Sequence, residues 1–223
     1  MPIKTGKKTM PLYENISITP ESTAFKHCSS LAKGVSFSGE PDITLTWVKD
    51  KTYHKDYIDL ADFSRCISLG EGAYLESLDR VAFHCGRVKL TLVKRNGFEA
   101  GKIIIGAGCV LQGTAIIAWQ NVTVEDHVTF GPGVTLMDSS GHPLLARGTD
   151  DEAARTPVRP VLIKEHSWIG MNAIILPGVT VGRHAVIGAG SVVRTSVPDY
   201  AVAAGNPAVV VRYLTEEQKE TAG

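Results

Sequence analysis

The chain lacks most of the features that assign a protein quickly. Its 23 Lys and Arg balance 23 Asp and Glu over 223 residues. No global field therefore draws it to nucleic acid or to an anionic membrane. No apolar run approaches the ~20 residues of a membrane span, and Met1 to Lys26 lacks the apolar stretch of a secretory signal. Cys28, Cys66, Cys85 and Cys109 are scattered, without the paired spacing of a zinc site or the density of a disulfide framework. Together these absences predict a soluble, reduced, cytoplasmic protein.

What the chain does have is a period of six. From Ile169 to Val193 it reads as Ile169-Gly170-Met171-Asn172-Ala173-Ile174, then blocks opening at Ile175, Val181 and Ile187. An aliphatic residue opens each block and a small or compact one sits four places on. Six is neither the helical 3.6 nor an ordinary strand-turn unit. It marks a parallel β-helix, in which each block is one short strand and one turn, and three blocks make one coil. Openers should point inward and stack about 4.8 Å apart along the hydrogen-bonding direction. Gly and Asn suit the tight corners because they tolerate positive φ.

Counting back in sixes from Thr135 gives Thr129, Thr123, Ile117, Leu111 and Ile105, and further back Val93, Val81, Leu75 and Leu69, with Glu99 and Arg87 as exceptions. Ala73, Cys85, Cys109, Ala115 and Gly133 recur as the compact partners. The helix is therefore expected to start near Ile67, with a distorted coil or a loop around Lys94-Arg95-Asn96-Gly97. Residues 1–60 show no such phase and are expected to form an irregular cap, with a strand at Ile43 to Val48. Residues 61–212 form the helix proper. The phase breaks between Thr135 and Ile163, so residues 138–161 must be extruded as a loop, and loops on rigid scaffolds often carry function. The tail, residues 213–223, holds a short helix over Leu214 to Glu220 with Thr215 as N-cap.

Three stretches carry a resemblance to a known family. They are Val128-Thr129-Phe130-Gly131-Pro132-Gly133-Val134-Thr135 leading to Gly141-His142-Pro143; Ser167-Trp168-Ile169-Gly170 with Ile175-Leu176-Pro177-Gly178-Val179-Thr180-Val181-Gly182; and Val197-Pro198-Asp199-Tyr200 to Ala204-Gly205-Asn206-Pro207-Ala208. This part of the chain, Val122 to Arg212, resembles the hexapeptide-repeat acyltransferases, in particular the galactoside, maltose and capsule-sugar O-acetyltransferases. The resemblance implies an all-β, left-handed parallel β-helix, an acetyl-CoA co-substrate, no metal and a homotrimer with active sites between subunits. His142 stands in the position of the family's general base. Imidazole, with an ordinary pKa of about 6.5, is suited to taking a hydroxyl proton and returning it to a leaving thiolate. A thioester is already activated, so no nucleophilic Ser or Cys is needed.

The same resemblance places Trp168, Met171, Ala189, Arg194 and Arg212 on the cofactor side. Ala189 leaves room for a pantetheine arm, and Arg212 suits phosphate oxygens. Met171 stands where a small polar residue occurs in the sugar enzymes, Arg194 where Thr occurs and Val209 where a second Arg occurs. The coil before the His motif, Leu111 to Gln120, holds apolar or small residues where the galactoside enzymes use Asn and carboxylates, so their sugar contacts do not transfer. On the acceptor side the candidates are Asp138, Ser140 and Trp119. Asp138 is also the nearest carboxylate able to fix the His142 tautomer. Trp119 offers either a stacking face for a sugar or a surface ridge at a subunit contact. His127, His166 and His184 read as corner residues.

The expected function is O-acetylation of a sugar hydroxyl on a polysaccharide, glycan or sugar intermediate. An N-acetyltransferase acting on an amino-sugar nucleotide or small amine would use the same base and donor. A non-catalytic β-helix scaffold is the third alternative. A zinc hydrolase of the carbonic anhydrase type needs converging imidazoles, and no two of these four histidines lie five residues apart as that family requires.

Overall fold

The computed structural model describes residues 12–49, 59–80, 83–95, 97–145 and 147–220. Three sheets of parallel strands wrap a single apolar core, and the chain visits them in fixed rotation. Ser29–Leu31 (β2), Ser36–Ser38 (β3) and Asp42–Lys49 (β4) make the first turn. Ile67–Leu69 (β5), Tyr74–Glu76 (β6) and Lys89–Arg95 (β7) make the second, and the rotation continues to Val192–Val193 (β19). This is the expected left-handed parallel β-helix.

Inward positions stack in register from turn to turn. Ile67, Ile103, Val122 and Val161 form one such column, all buried. Phe130, Ile169, Ile187 and Ala203 form another. Each large aliphatic side chain removed from water stabilises the stack by about 1.5–3 kcal/mol.

One corner is turned by bulky residues in the left-handed region: His127, His166, His184 and Tyr200, at φ 58°, 59°, 51° and 59°. Their rings lie on one another, with centroids 5.0, 4.7 and 5.2 Å apart. The three histidines are the corner residues that the sequence suggested, and here the ladder of rings accompanies a backbone shape that L-residues otherwise disfavour.

The N-terminal region departs from the expected irregular cap over residues 1–60. The helix starts at Ser29 rather than near Ile67, because β2, β3 and β4 already pair in parallel with β5, β6 and β7. Residues 1–11 and 50–58 of that cap, the proposed opener Val81 and Asn96 of the proposed loop lie outside the described residues. The early turns hide from a six-residue count because β4 and β7 are long and the connections are unequal. β4 and β7 run past the corner of the prism, and Leu12–Ile18 (β1) adds to β4 in antiparallel register, forming a wing. The strand expected at Ile43 to Val48 is the middle of β4.

The phase also slips by one residue in mid-chain. Inward positions are Leu111, then Thr114, Ile116 and Ala118, and thereafter Val124, Phe130 and Leu136. Thr123, Thr129 and Thr135 face outward or half outward, as does Gly133. A single extra residue flips every later side chain to the other face. The extra residue falls beside Gly113 (φ 53°), where a Cβ would lie 2.7 Å from the Gly86 carbonyl oxygen of the 77–88 excursion. From Ile163 onward the openers are inward as the repeat requires.

The helix ends in an antiparallel pair, Ala201–Gly205 (β20) with Ala208–Tyr213 (β21). A short helix follows, Glu216–Glu220 (α3). Thr215 Oγ1 accepts from Gln218 N at 3.3 Å while Gln218 Oε1 accepts from Thr215 N at 3.0 Å, a reciprocal cap.

Candidate functional site

The extruded loop leaves the helix after Thr135–Met137 (β13) and returns at Val161–Ile163 (β14). Its two ends are zipped together: Ser139 bridges to Val158, and Ser139 Oγ donates to the Pro157 carbonyl at 2.8 Å. Within it lies one helical turn, Glu152–Arg155 (α2). The wing holds that turn from below. Val48, Val93 and Trp119 pack against Ala153 in a second buried cluster. Arg95, also buried, donates from Nη1 to the carbonyls of Ala153 at 3.2 Å and Thr156 at 3.0 Å, at the carbonyl-bearing end of α2.

This support fixes Glu152, whose side chain is 2 % exposed. Its Oε1 lies 2.6 Å from His142 Nδ1, and its Oε2 accepts from Gly148 N. Burial alone would push the Glu152 carboxyl up, but the hydrogen bonds from His142 and Gly148 outweigh it and hold the carboxyl below its ordinary value. A carboxylate here accepts the Nδ1 proton, a tautomer assigned from the hydrogen-bonding partners. Nε2 is then free to accept a proton from solvent or ligand. The His142 side chain is 41 % exposed, and it lines a pocket of about 320 Å³ together with Ser140, Leu144, Arg159, Leu176 and Arg194.

Asp138 does not orient His142. It is fully buried and accepts three backbone amides of the facing corner, Trp119 at 2.7 Å, Gln120 at 2.7 Å and Asn121 at 2.8 Å. Burial raises its carboxyl above the ordinary value, opposed by those amides. Trp119 is 5 % exposed and packs against Ala153 of α2, so most of its ring is withdrawn from solvent. The residue that sequence reasoning missed is Glu152, ten positions along the loop from His142.

A second concavity runs along the outer face of the sheet that carries Thr129–Phe130 (β12), Trp168–Ile169 (β15) and Val186–Ile187 (β18). It holds about 600 Å³ and is lined by Trp168, Met171, Ala189, Phe83, Gln112 and Gly188 among others. Trp168 is 56 % exposed, and its ring forms part of the wall. Thus three of the five residues expected on the cofactor side are brought together. Arg194 lies instead in the His142 pocket. Arg212 is placed on β21, where Nη1 reaches the Tyr213 carbonyl and Gln218 Oε1, each at 3.3 Å. The groove and the His142 pocket share no lining residue.

With this geometry in place, the comparisons with known proteins are specific. The family described as bacterial transferase hexapeptide (six repeats) matches residues 160–195. The galactoside O-acetyltransferase of Lactococcus lactis is 39% identical over 121 residues, 49% of this chain and 55% of that protein. That of Escherichia coli K12 is 39% identical over 107 residues, 47% of this chain and 50% of that protein. The chain thus spans about half the length of these relatives. Among solved structures, AntD, an N-acyltransferase from Bacillus cereus in complex with dTDP and 3-hydroxybutyryl-CoA, aligns with a TM-score of 0.56 at 18% identity. The alignment covers 86% of this chain and 82% of that one, and at this identity the likeness extends to the fold alone. In fold this chain is a left-handed β-helix, and in its repeat over residues 160–195 and in its relatives it is similar to the hexapeptide-repeat galactoside O-acetyltransferases.

Proposed function

We propose that this protein is an acetyl-CoA-dependent O-acetyltransferase that acts on a sugar hydroxyl, with His142 as general base. The observation that carries the reading is the pair His142 Nδ1 and Glu152 Oε1, 2.6 Å apart on the rim of a pocket. The buried carboxylate holds the tautomer and stabilises the imidazolium that forms. In the reaction the acceptor O–H gives its proton to Nε2 as the oxygen attacks the thioester carbonyl. The C–S bond then breaks and the proton passes from Nε2 to the departing sulfur. Acetyl-CoA supplies the activated acyl group, so transfer is direct.

The residues present fit that co-substrate. The groove at Trp168, Met171, Gly188 and Ala189 is apolar and shallow, as a pantetheine arm requires. The glycines of the groove answer to coil stacking: a Cβ at Gly170 would lie 2.6 Å from Ala189 N of the next coil, and one at Gly188 would lie 2.9 Å from the Ala204 Cβ. The groove faces outward from one sheet while His142 stands on the extruded loop, so the two halves meet when the groove of one copy abuts the loop of the next. Leu144 and Leu145, 88% and 81% exposed on that loop, suit burial in such a contact. The family resemblance implies a homotrimer, and in that assembly this contact is where two subunits complete a site. Substitution tests the chemistry: His142→Ala should keep the oligomer and CoA affinity while turnover falls by about 10²-fold or more. Near-normal turnover would remove the assignment, and absence of CoA binding by calorimetry at millimolar ligand would favour a scaffold.

A further inference from the structure

The His142 pocket contains more positive charge than an alcohol acetylation needs. Arg159 and Arg194 both line it, and both are exposed. Among the described residues neither has a carboxylate within ion-pair distance, and no acidic side chain lines the pocket. Elsewhere arginines find such partners readily: Arg155 pairs with Asp151 at 2.8 Å and Arg183 with Glu165 at 3.0 Å.

Arg159 is also held in place. Its N–H donates to the Asp138 carbonyl at 2.8 Å and its carbonyl accepts from Gly178 N at 3.0 Å. Its aliphatic stem lies against Gly178, where a Cβ would come within 3.1 Å of both Cβ and Cδ of the arginine. Gly178 has φ 86°, so backbone shape and side-chain clearance at this corner both call for glycine. A guanidinium fixed at its root and without a counter-charge is prepared for an anion from outside.

We propose that Arg159 and Arg194 form an anion clamp beside His142, and that the acceptor is a sugar carrying a carboxylate or phosphate group. This rests on the transferase reading and names the acceptor class for the same site. The donor does not account for the clamp. The acetyl carbonyl must reach His142, and the whole pantetheine arm separates that carbonyl from the phosphates of CoA. Within one copy the groove suited to the arm shares no residue with this pocket, and a neighbouring copy's groove would bring the thioester end of the donor, not its phosphates, to His142. An anion bound in about 320 Å³ beside the base therefore belongs to the molecule whose hydroxyl is being deprotonated. The planar forks of two arginines match carboxylate and phosphate oxygens alike.

The test is calorimetric titration of the full chain with glucuronate, glucose 6-phosphate and glucose, repeated with an Arg159→Gln, Arg194→Gln double variant. The wild type should bind at least one charged sugar about tenfold or more tighter than glucose, as one charge-assisted hydrogen bond implies. The double variant should bring the charged and neutral sugars to within about twofold. Which charged sugar wins separates carboxylate from phosphate. An absence of preference in the wild type, or a preference that survives in the double variant, overturns the clamp. So does a raised KM for acetyl-CoA in the double variant with the sugar preference unchanged, which would assign the arginines to CoA phosphates. Charge preference without CoA binding would instead support the clamp and overturn the transferase reading.

Discussion

Glu152 is the buried partner of His142, its Oε1 2.6 Å from the imidazole Nδ1. The carboxylate, on the first residue of α2, is held below its ordinary pKa by His142 and Gly148 against the upward push of burial, while Arg95 anchors the helical turn through the carbonyls of Ala153 and Thr156. Glu152→Gln keeps the shape and removes the charge. It should lower kcat by about tenfold or more, with KM for acetyl-CoA and oligomeric state unchanged. Because the folded pKa is depressed, the stability that Glu152 adds is complete above its unfolded value and is lost as pH falls through the folded one. A loss of loop protection on acidification, read by hydrogen exchange at residues 147–156, should appear below about pH 4.3. Unchanged kcat in the Gln variant would make the contact merely structural.

Asp138 predicts the opposite pattern. Its carboxylate serves three buried amides at once, so Asp138→Ala strands three donors in the protein interior. Each stranded donor costs about 1–3 kcal/mol, so a loss of about 3 kcal/mol or more in denaturant midpoint analysis is expected. The wild-type substrate profile should survive in whatever fraction folds. A change of kcat or KM at normal stability would return Asp138 to the substrate side.

The comparison between these two carboxylates shows what the sequence could and could not reveal. The repeat from Ile163 to Val193 was legible because every block there has six residues, so side-chain chemistry and phase agree. The break after Thr135 was legible for the same reason, and with it His142. Asp138 looked like the partner because it is only four residues from His142, yet its carboxylate is taken up by the amides of the corner at Trp119. Glu152 is ten residues away, and only the fold of the loop over the wing brings it to 2.6 Å. That fold depends on Val48, Val93 and Arg95, which no local pattern connects to residue 152. The early turns were hidden by unequal connections, and the slip beside Gly113 put three threonines where Val124, Phe130 and Leu136 belong. A count over β-branched residues cannot separate Thr from Val when both suit a strand.

The stacked corner predicts an acid-sensitive fold. The His184 imidazole is held below its ordinary pKa first by burial, then by the neighbouring His166 and Arg183. With the folded value depressed, the unfolded chain binds the proton more tightly. The stability at stake is present above the unfolded pKa of about 6.5 and is lost as pH falls below it. The thermal midpoint of the wild type should therefore drop between about pH 7 and pH 5. His184→Asn keeps a residue that tolerates φ 51° and removes the titrating ring. Its midpoint should fall less over the same range, and an equal fall would locate the acid sensitivity elsewhere.

Buried thiols give the last prediction, and it bears on how turnover is measured. All four cysteines are free and buried. Burial, with Cys66 close by, pushes the Cys28 thiol up to about 11. Burial also pushes Cys109 up to about 11, its amide hydrogen bonds notwithstanding. Cys66 and Cys85 are raised by the same desolvation. Since the thiolate is the reactive form, none should react quickly with a disulfide reagent near neutral pH in the folded protein. Thiol release from acetyl-CoA can then be followed with such a reagent against a flat protein background, and adding denaturant should expose all four sulfurs at once. A rapid burst of labelling before denaturant would mean that one of these coils opens readily in solution. Cys85 would be the first to examine, since it closes the 77–88 excursion through its N–H to Asp79 Oδ1 at 2.9 Å.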